Sequence, residues 1–317
     1  MGTHVERISV IIPARNEARR IEATVAAVRA EARTIGADAE VIVVDDGSTD
    51  QTGADARRAG ARVVRLDGSG NPGAARNRGA DAATGDVLVF LDADCLPLRG
   101  WLDAMISAHD AGENCVGGSL ALPPALPATA RWDYYFSSYH IHPGRPGGPV
   151  PNHTPANLSV RRATFAATRG FTEDMPVANG HEELAWQASL LRAGGRCYFE
   201  PRAAAYHYNR PGLGHLLRRT YRWAYSAIQA KAESGVGRWS WLYRRPWLLI
   251  AVSPFTAPLQ AVYIALCWLR ARKLEPTFAF PALLLTRFVY AAGMSWGGWR
   301  WLATHARPAP AGAPEPL

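Results

Sequence analysis

The chain has 317 residues, 48% hydrophobic and 20% charged, a balance that excludes a disordered or fibrous protein and leaves material for one large α/β domain plus an appendage. Lys and Arg outnumber Asp and Glu 35 to 27, which allows nucleic acid, an anionic membrane surface or phosphorylated substrates as partners. Between Arg210 and Arg307 the basic residues mingle with Trp and long apolar runs, a combination that fits a membrane interface rather than a nucleic-acid groove.

Short apolar runs alternate with helical patterns through the first part. Strands are expected at residues 8–13 (ISVIIP), 40–46 (EVIVVDD), 61–66 and 86–92 (DVLVFLD), with helices at 17–33, 52–59 and 74–83 between and after them. These strands are continuously apolar, as expected when helices cover both faces of a parallel sheet. Such a series places its functional loops at the carboxyl ends of the strands. Further strands are expected at 116–122, 157–161 and 197–200, and a helix at 182–192. The Gly/Pro-rich stretch 143–155 reads as a loop, with the freedom to move over a site. Residues 213–231 form a basic aromatic helix, two apolar stretches follow, and a Pro/Ala tail reads as disordered.

Charged groups fall where strands end. Pro13-Ala14-Arg15-Asn16-Glu17 follows the first strand and Asp45-Asp46-Gly47-Ser48-Thr49-Asp50 the second. Arg76 and Asn77 open the helix after the third, and Asp92-Ala93-Asp94 ends the fourth. In a parallel sheet these ends lie side by side, so the acids converge on one crevice and need a positive partner. A hard divalent cation such as Mg²⁺ or Mn²⁺ suits carboxylate oxygens. Taken singly, an Asp-x-Asp recurs by chance in surface turns, and DDGSTD also serves as a turn with a helix cap. The ordered set is what carries the signal.

The set resembles family 2 glycosyltransferases of the GT-A fold, through SVIIPARNE, VIVVDDGSTD, NPGAARNRGA, VLVFLDADCLP, NLSVRRATF and HEELAWQASLLRAGGRCYFEP, which run in the family's order over about two thirds of the chain. The resemblance implies a nucleotide-diphosphate sugar as donor. Pro13, Arg15 and Glu17 would line the nucleotide pocket, Asp46 would bond the base, Arg76 would stand near the diphosphate, and Asp92 would contact the nucleoside. Asp94 would hold the metal. Glu183 stands where the family usually has the Asp of a Glu-Asp pair acting as base, which leaves the role open between Glu182 and Glu183. An inverting transfer needs such a base and a cation for the departing diphosphate. Acids in a first helical turn are also what the helix dipole favours. His207 follows the last strand, where related enzymes often place a further metal contact, although one histidine serves equally well as a structural residue. Arg219, Arg222 and Trp223 resemble the R/Q-x-x-R-W motif of membrane-linked members; the arginines would meet donor phosphates, an anionic acceptor or lipid.

Gly68-Ser69-Gly70-Asn71-Pro72-Gly73 formally matches G-x-G-x-x-G, with Asp92 downstream as a ribose-binding acid. That supports an alternative, an NAD(P)-dependent oxidoreductase. It belongs to the third strand, contains a Pro, and leaves DDGSTD, Asp94 and Glu182-Glu183 idle. A catalytically silent sugar-nucleotide-binding protein is a third reading. His140, His142 and His153 flank the Gly/Pro loop and need no role beyond loop polarity. The four cysteines, Cys95, Cys115, Cys197 and Cys267, lack metal-type spacing and read as buried reduced thiols. Met1 leads through charged residues straight into a strand with no signal peptide, so the soluble part is expected on the cytoplasmic side of the cell membrane.

Residues 247–269 are long and apolar enough to span a bilayer, and 278–301 form a second candidate interrupted by Arg287. Arg244 and Arg245 precede the first stretch and Arg270, Arg272 and Lys273 follow it, so a full crossing would break the positive-inside rule. Pro254 and Pro258 would bend it midway. The expectation is a GT-A domain over 1–210, a basic linker helix over 211–245, a kinked or re-entrant membrane hairpin over 246–305 and a disordered tail over 306–317. A buried helical pair in a soluble protein is the plainer alternative. The membrane segment makes a lipid or lipid-linked acceptor the expected second substrate.

Overall fold

The computed structural model describes residues 7–68, 70–173, 181–235 and 240–305. The Pro/Ala tail and Ser69 of the glycine loop lie outside the described residues. In chain order the elements are β1 (Arg7–Ala14), α1 (Ile21–Ile35), β2 (Asp38–Asp46), α2 (Thr52–Arg58), β3 (Arg62–Leu66), α3 (Pro72–Ala82) and β4 (Val87–Leu91). Then come β5 (Cys95–Pro97), α4 (Trp101–Asp110), β6 (Cys115–Ala121), α5 (Ala128–Ser137), β7 (Gly148–Val150), β8 (Asn157–Arg161), α6 (Arg162–Ala166), α7 (Leu184–Arg192) and β9 (Cys197–His207). The helical end comprises α8 (Leu213–Ser234), α9 (Ser240–Tyr243), α10 (Pro246–Arg270), α11 (Glu275–Phe278) and α12 (Phe280–His305).

One mixed, mostly parallel sheet runs in the order β3-β2-β1-β4-β8-β6-β9-β5, with β7 on β9. β3, β2, β1 and β4 are parallel, whereas β8 enters antiparallel between β4 and β6. This is the architecture of the GT-A fold. The chain moves outward from β1 to β2 and β3, then returns to place β4 on the other side of β1. That reversal opens the crevice at the carboxyl ends of β1 and β4. β1 and β4 are buried along almost their whole length, as parallel strands with helices on both faces must be.

Several boundaries differ from the sequence reading for identifiable reasons. The first helix starts at Ile21 rather than residue 17, because Asn16 turns left-handed (φ 56°) and the Arg20 and Ile21 N–H groups close a turn onto the Glu17 carbonyl. The last strand runs on to His207, past a bulge in which Gly118 pairs with Glu200 but Ser119 with Ala204. Pro201 within that bulge hides the continuation from any periodicity count. The Gly/Pro stretch is pinned rather than free. It contributes β7, and the His153 N–H donates to Gln187 Oε1 at 2.8 Å while Gln187 Nε2 returns 2.6 Å to the His153 carbonyl.

At the helical end α12 lies between α8 and α10. Small residues allow the approach: a Cβ on Gly293 would stand 2.4 Å from the Tyr221 carbonyl, and one on Gly297 2.6 Å from that of Tyr225. α10 runs unbroken through Pro254 and Pro258, so no break divides it there. Its far end docks on the α/β domain, where Trp268 Nε1 donates 2.7 Å to the Tyr135 carbonyl and the indole meets the Tyr135 ring edge-on at 5.0 Å. Among the described residues one helix, α10, is long and apolar enough to cross a membrane.

Candidate active site

Two loops are sewn together at the mouth of the crevice. Asn16 donates its N–H to Ser48 Oγ and accepts from the Thr49 N–H (3.0 and 2.9 Å), and the Glu17 N–H reaches Thr52 Oγ1 at 2.7 Å. Asp45 is consumed internally, accepting from the Ser48 N–H and from Arg65 Nη1. Gly47 must be glycine: its φ is 69°, and an added Cβ would lie 2.7 Å from Gly68 Cα. This close pass fixes Asp46, which is buried with Arg15 Nη1 4.0 Å from its carboxylate, beside the half-buried Pro13. A recess of about 360 Å³ opens next to it, lined by Leu66, Asp67, Gly68, Ala74, Arg78 and Glu173.

Beyond β4, Asp92 and Asp94 turn into the crevice. β5 pairs with the end of β9, Cys95 opposite His207, and this register carries the imidazole to Asp94, with Nε2 3.6 Å from Oδ1. Asn209 Oδ1 accepts from His207 Nδ1 at 2.9 Å, which turns Nε2 toward Asp94. Burial, more than the neighbouring Asp92, raises the Asp94 carboxyl, while His207 opposes the shift. Among the described residues no side chain donates a hydrogen bond to its carboxylate, His207 Nε2 standing 3.6 Å away. A carboxylate oxygen and an imidazole nitrogen converging on one point, with no other described donor to the carboxylate, fit a divalent cation of the Mg²⁺ or Mn²⁺ type. Cys95, the third donor within 4.8 Å of this group, has its thiol pushed well up by burial and stays protonated in the core. Glu17 stands close enough for Asp94, after burial, to raise its carboxyl, and it is held by Arg210 at 2.7 Å.

Arg76, which the resemblance would set near the diphosphate, lies between two carboxylates. It is 3% exposed, and its two Nη atoms donate to Glu182 Oε1 at 2.7 Å and Asp92 Oδ1 at 2.6 Å. Both of its terminal nitrogens are thus engaged with carboxylates. The clamp is locked from the α3 side: Asn71 Oδ1 caps the helix at the Gly73 N–H, and a Cβ on Gly73 would meet the Thr172 carbonyl at 2.6 Å. Asn77 exchanges hydrogen bonds with the Phe171 N–H and carbonyl at 2.9 Å each.

The two glutamates separate clearly. Glu182 is paired with Arg76. Glu183, at the N-cap of α7, has no side-chain hydrogen bond to another described residue, and burial together with Glu182 pushes its carboxyl up to about 8. α8 supports this turn: His181 stacks on Trp223 with ring centroids 5.3 Å apart, and its Nδ1 lies 3.3 Å from Ser226 Oγ. Arg219 is tied to the buried carboxylate of Asp133 on α5, whereas Arg222 is exposed.

Asn209, Arg210 and Asp133 were not singled out in the sequence. Asn209 and Arg210 follow His207 directly, so proximity to the end of the last strand was the one available signal. Asp133 lies on a helix whose periodicity is blurred by four aromatics, and nothing marks it. The glycine loop follows the edge strand β3, and it borders the same crevice: Gly68 packs on Gly47, and a Cβ on Gly70 would stand 3.1 Å from Arg15 Nη1. His142 packs on Trp268 (4.7 Å between centroids) and His153 on Phe199, so both are structural.

Comparison with known proteins agrees with this geometry. The "Glycosyl transferase family 2" profile matches residues 9–167. The chain is 30% identical over 230 residues to the glycosyltransferase AglE of Haloferax volcanii, covering 70% of this chain and 73% of that one. It is 30% identical over 229 residues to the pre-mycofactocin glycosyltransferase of Mycobacterium tuberculosis, covering 67% of this chain but 45% of that protein, so it spans less than half of that relative's length. The mannosyltransferase PcManGT of Pyrobaculum calidifontis, solved in complex with GDP-Man and Mn²⁺, superposes with a TM-score of 0.60 at 20% identity, over 93% of this chain and 88% of its own. With the family profile covering half of its length and a relative matched over most of both chains, the protein belongs to glycosyltransferase family 2.

Proposed function

We propose that the protein transfers a sugar from a nucleotide-diphosphate donor to the hydroxyl of a lipid or lipid-linked acceptor, with inversion, at the cytoplasmic face of the cell membrane. The observation that carries the chemistry is the chain Asp92–Arg76–Glu182, in which one buried guanidinium ties the carboxylates after β4 to those before α7. It sets the donor side and the acceptor side of the crevice in one rigid frame.

Pro13, Arg15 and Glu17 line the nucleoside side, Asp46 accepts from the base, and Asp92 faces the ribose. Asp94 and His207 hold the cation. Bound there, Mg²⁺ or Mn²⁺ supplies positive charge to the departing diphosphate. Glu183 takes the proton of the acceptor hydroxyl as it attacks the anomeric carbon; its raised affinity for a proton suits that task. Glu182, fixed by Arg76, positions Glu183 and adds to its basicity. Trp223 holds the His181–Glu183 turn in place, and Arg222 remains open to an anionic partner. In this reading residues 1–210 form the catalytic domain and 211–305 its membrane-facing part.

The acceptor class rests on the outer face of the helical end. Phe255 (78% exposed) and Leu259 project outward from α10, between exposed Arg244 and Arg245 at one end and Arg270, Arg272 and Lys273 at the other, and Phe278 (82%) is exposed on α11 beyond that cluster. An exposed patch of this size rimmed by cations fits a bilayer interface. Because α12 is packed on α8, which carries exposed Arg218 and Arg222, a vertical crossing by the hairpin would draw those charges into hydrocarbon. The hairpin therefore lies in the plane of the interface. Nucleotide release from UDP-, GDP- and dTDP-sugars, measured with and without Mn²⁺ in the presence of total membrane lipid extract, tests the reaction. Metal-dependent release from one donor is expected; release from none would refute it.

A further inference from the structure

Among the described residues three non-glycine residues take left-handed backbone angles: Asn16, Arg272 and His181. Two of them are explained where they stand. Asparagine tolerates this region better than most residues, and Asn16 Oδ1 accepts from the Thr49 N–H at 2.9 Å. Arg272 follows α10, where its N–H and that of Lys273 close onto the Leu269 and Trp268 carbonyls at 2.9 Å each, a common helix stop. His181, with φ 65°, ends no described helix and stands directly before Glu182 and Glu183. Such a conformation persists only where surrounding contacts hold it, and it gathers at functional sites.

Here the contacts come from α8. The His181 ring stacks on Trp223, with centroids 5.3 Å apart and planes inclined by 23°, and Nδ1 lies 3.3 Å from Ser226 Oγ. Ser226 is fully buried, and its hydroxyl donates its one proton to the Trp223 carbonyl at 3.0 Å. Oγ is left to the imidazole as an acceptor, so His181 carries its proton on Nδ1 and donates it to Ser226. Burial, more than the neighbouring Lys231, pushes the imidazole down to about 3 and keeps it neutral. Ring plane and tautomer are both set by two residues three apart on one face of α8.

The turn that follows is pinned through its backbone and through Glu182. The Glu182 carbonyl accepts from the Thr172 N–H at 2.9 Å and its carboxylate from Arg76, while the Leu184 N–H returns to the His181 carbonyl at 3.1 Å. The Glu183 side chain makes no capping hydrogen bond at the start of α7, so the direction of its carboxylate follows from the backbone that carries it. A right-handed His181 would turn the chain off the Trp223–Ser226 face, and the Glu182–Glu183 turn would lose its hold on α8. We propose that His181 is a positioning residue for the transfer: its left-handed backbone, held by Trp223 and Ser226, aims Glu183 at the acceptor hydroxyl. This rests on the reading of Glu183 as the base.

Three substitutions in the full chain separate backbone from ring. His181→Asn keeps a residue at ease in the left-handed region and a side-chain donor for Ser226, His181→Gly keeps the backbone alone, and His181→Val opposes it. Asn should keep most of kcat and Gly less. Val should lower kcat on the order of 10²-fold, the scale of a 1 Å misplacement beside the reacting atoms. Binding of UDP and GDP, measured in parallel, should be unchanged in all three. Equal kcat in the three variants, or a loss confined to nucleotide binding, overturns the proposal. A second measurement needs no turnover. At pH 9 Glu183→Gln removes a buried carboxylate and should raise Tm; with His181→Gly present the gain should shrink, because a loosened turn lets that carboxylate hydrate. An undiminished gain overturns the proposal. A diminished gain in a protein that transfers no sugar from any donor would sink the base reading and leave His181 as the residue that holds Glu183.

Discussion

Arg76 and Glu182 are 106 residues apart in sequence and 2.7 Å apart in the fold, both almost fully enclosed. The pair joins the start of α3 to the turn before α7, and Asp92 completes it. Removing one partner of such a buried pair leaves an unpaired charge and costs about 3–5 kcal/mol. Arg76→Met is expected to lower stability by that amount in urea unfolding. Glu182→Gln should cost less, because Arg76 keeps Asp92, and the double variant should be less destabilised than the sum.

The Glu183 carboxyl, raised to about 8, gives the reaction a pH signature. The base must be deprotonated, so kcat/KM should fall about tenfold per pH unit below that value and level off above it. Glu183→Gln should lower kcat by roughly 10²–10⁴ while leaving donor affinity intact. The linkage to stability has the opposite sense. A carboxyl whose folded pKa lies above its unfolded one binds more protons when folded, so its destabilising effect grows as pH rises from about 4.5 to about 8. Glu183→Gln should therefore stabilise the fold at pH 9 relative to pH 4, read as the difference in Tm.

Trp268 couples the hairpin to the α/β domain through Tyr135, Tyr134 and His142. Trp268→Ala should cost roughly 3–5 kcal/mol and loosen α10 first. Hydrogen exchange should show faster amide exchange in α10 and α5 with β1 and β4 unchanged; uniform loosening would mean that the contact is not local.

Phe255 and Phe278 are expected to enter lipid. Each Phe→Ser change should weaken binding to phosphatidylglycerol vesicles by more than tenfold, on the scale of about 1.5–3 kcal/mol for a buried aromatic. High salt should weaken it further through the Arg270, Arg272 and Lys273 cluster. Reagent access to Lys273→Cys from the side that holds the catalytic domain is the in-plane result; access from the opposite side alone would mean that α10 crosses.

The crevice was legible in the sequence because parallel strands announce themselves by continuous apolar runs, and each run ended in an acid or an arginine. The partners of those groups were not legible. Arg76 sits at a helix start, where a phosphate contact is the ready expectation, and only the return of the chain at residue 182 turns it into a clamp. Which of Glu182 and Glu183 Arg76 reaches was likewise not legible. At the helical end the apolar runs were visible, but hydropathy carries no information about what they touch. The Trp268–Tyr135 bond and the glycine seam between α8 and α12 are tertiary facts. The bulge at Pro201 concealed the strand that delivers His207 to Asp94.

The pairing of Asp94 with His207 across β5 and β9 is the most direct point of test. Calorimetric titration of UDP and GDP into the protein, with Mn²⁺ and with chelator, should show binding of one nucleotide that chelation weakens at least tenfold. Asp94→Asn should lose the metal effect and His207→Ala most of it, with the fold intact by circular dichroism. Nucleotide binding indifferent to Mn²⁺ and to both substitutions, or binding of NAD(P) in its place, would contradict the account.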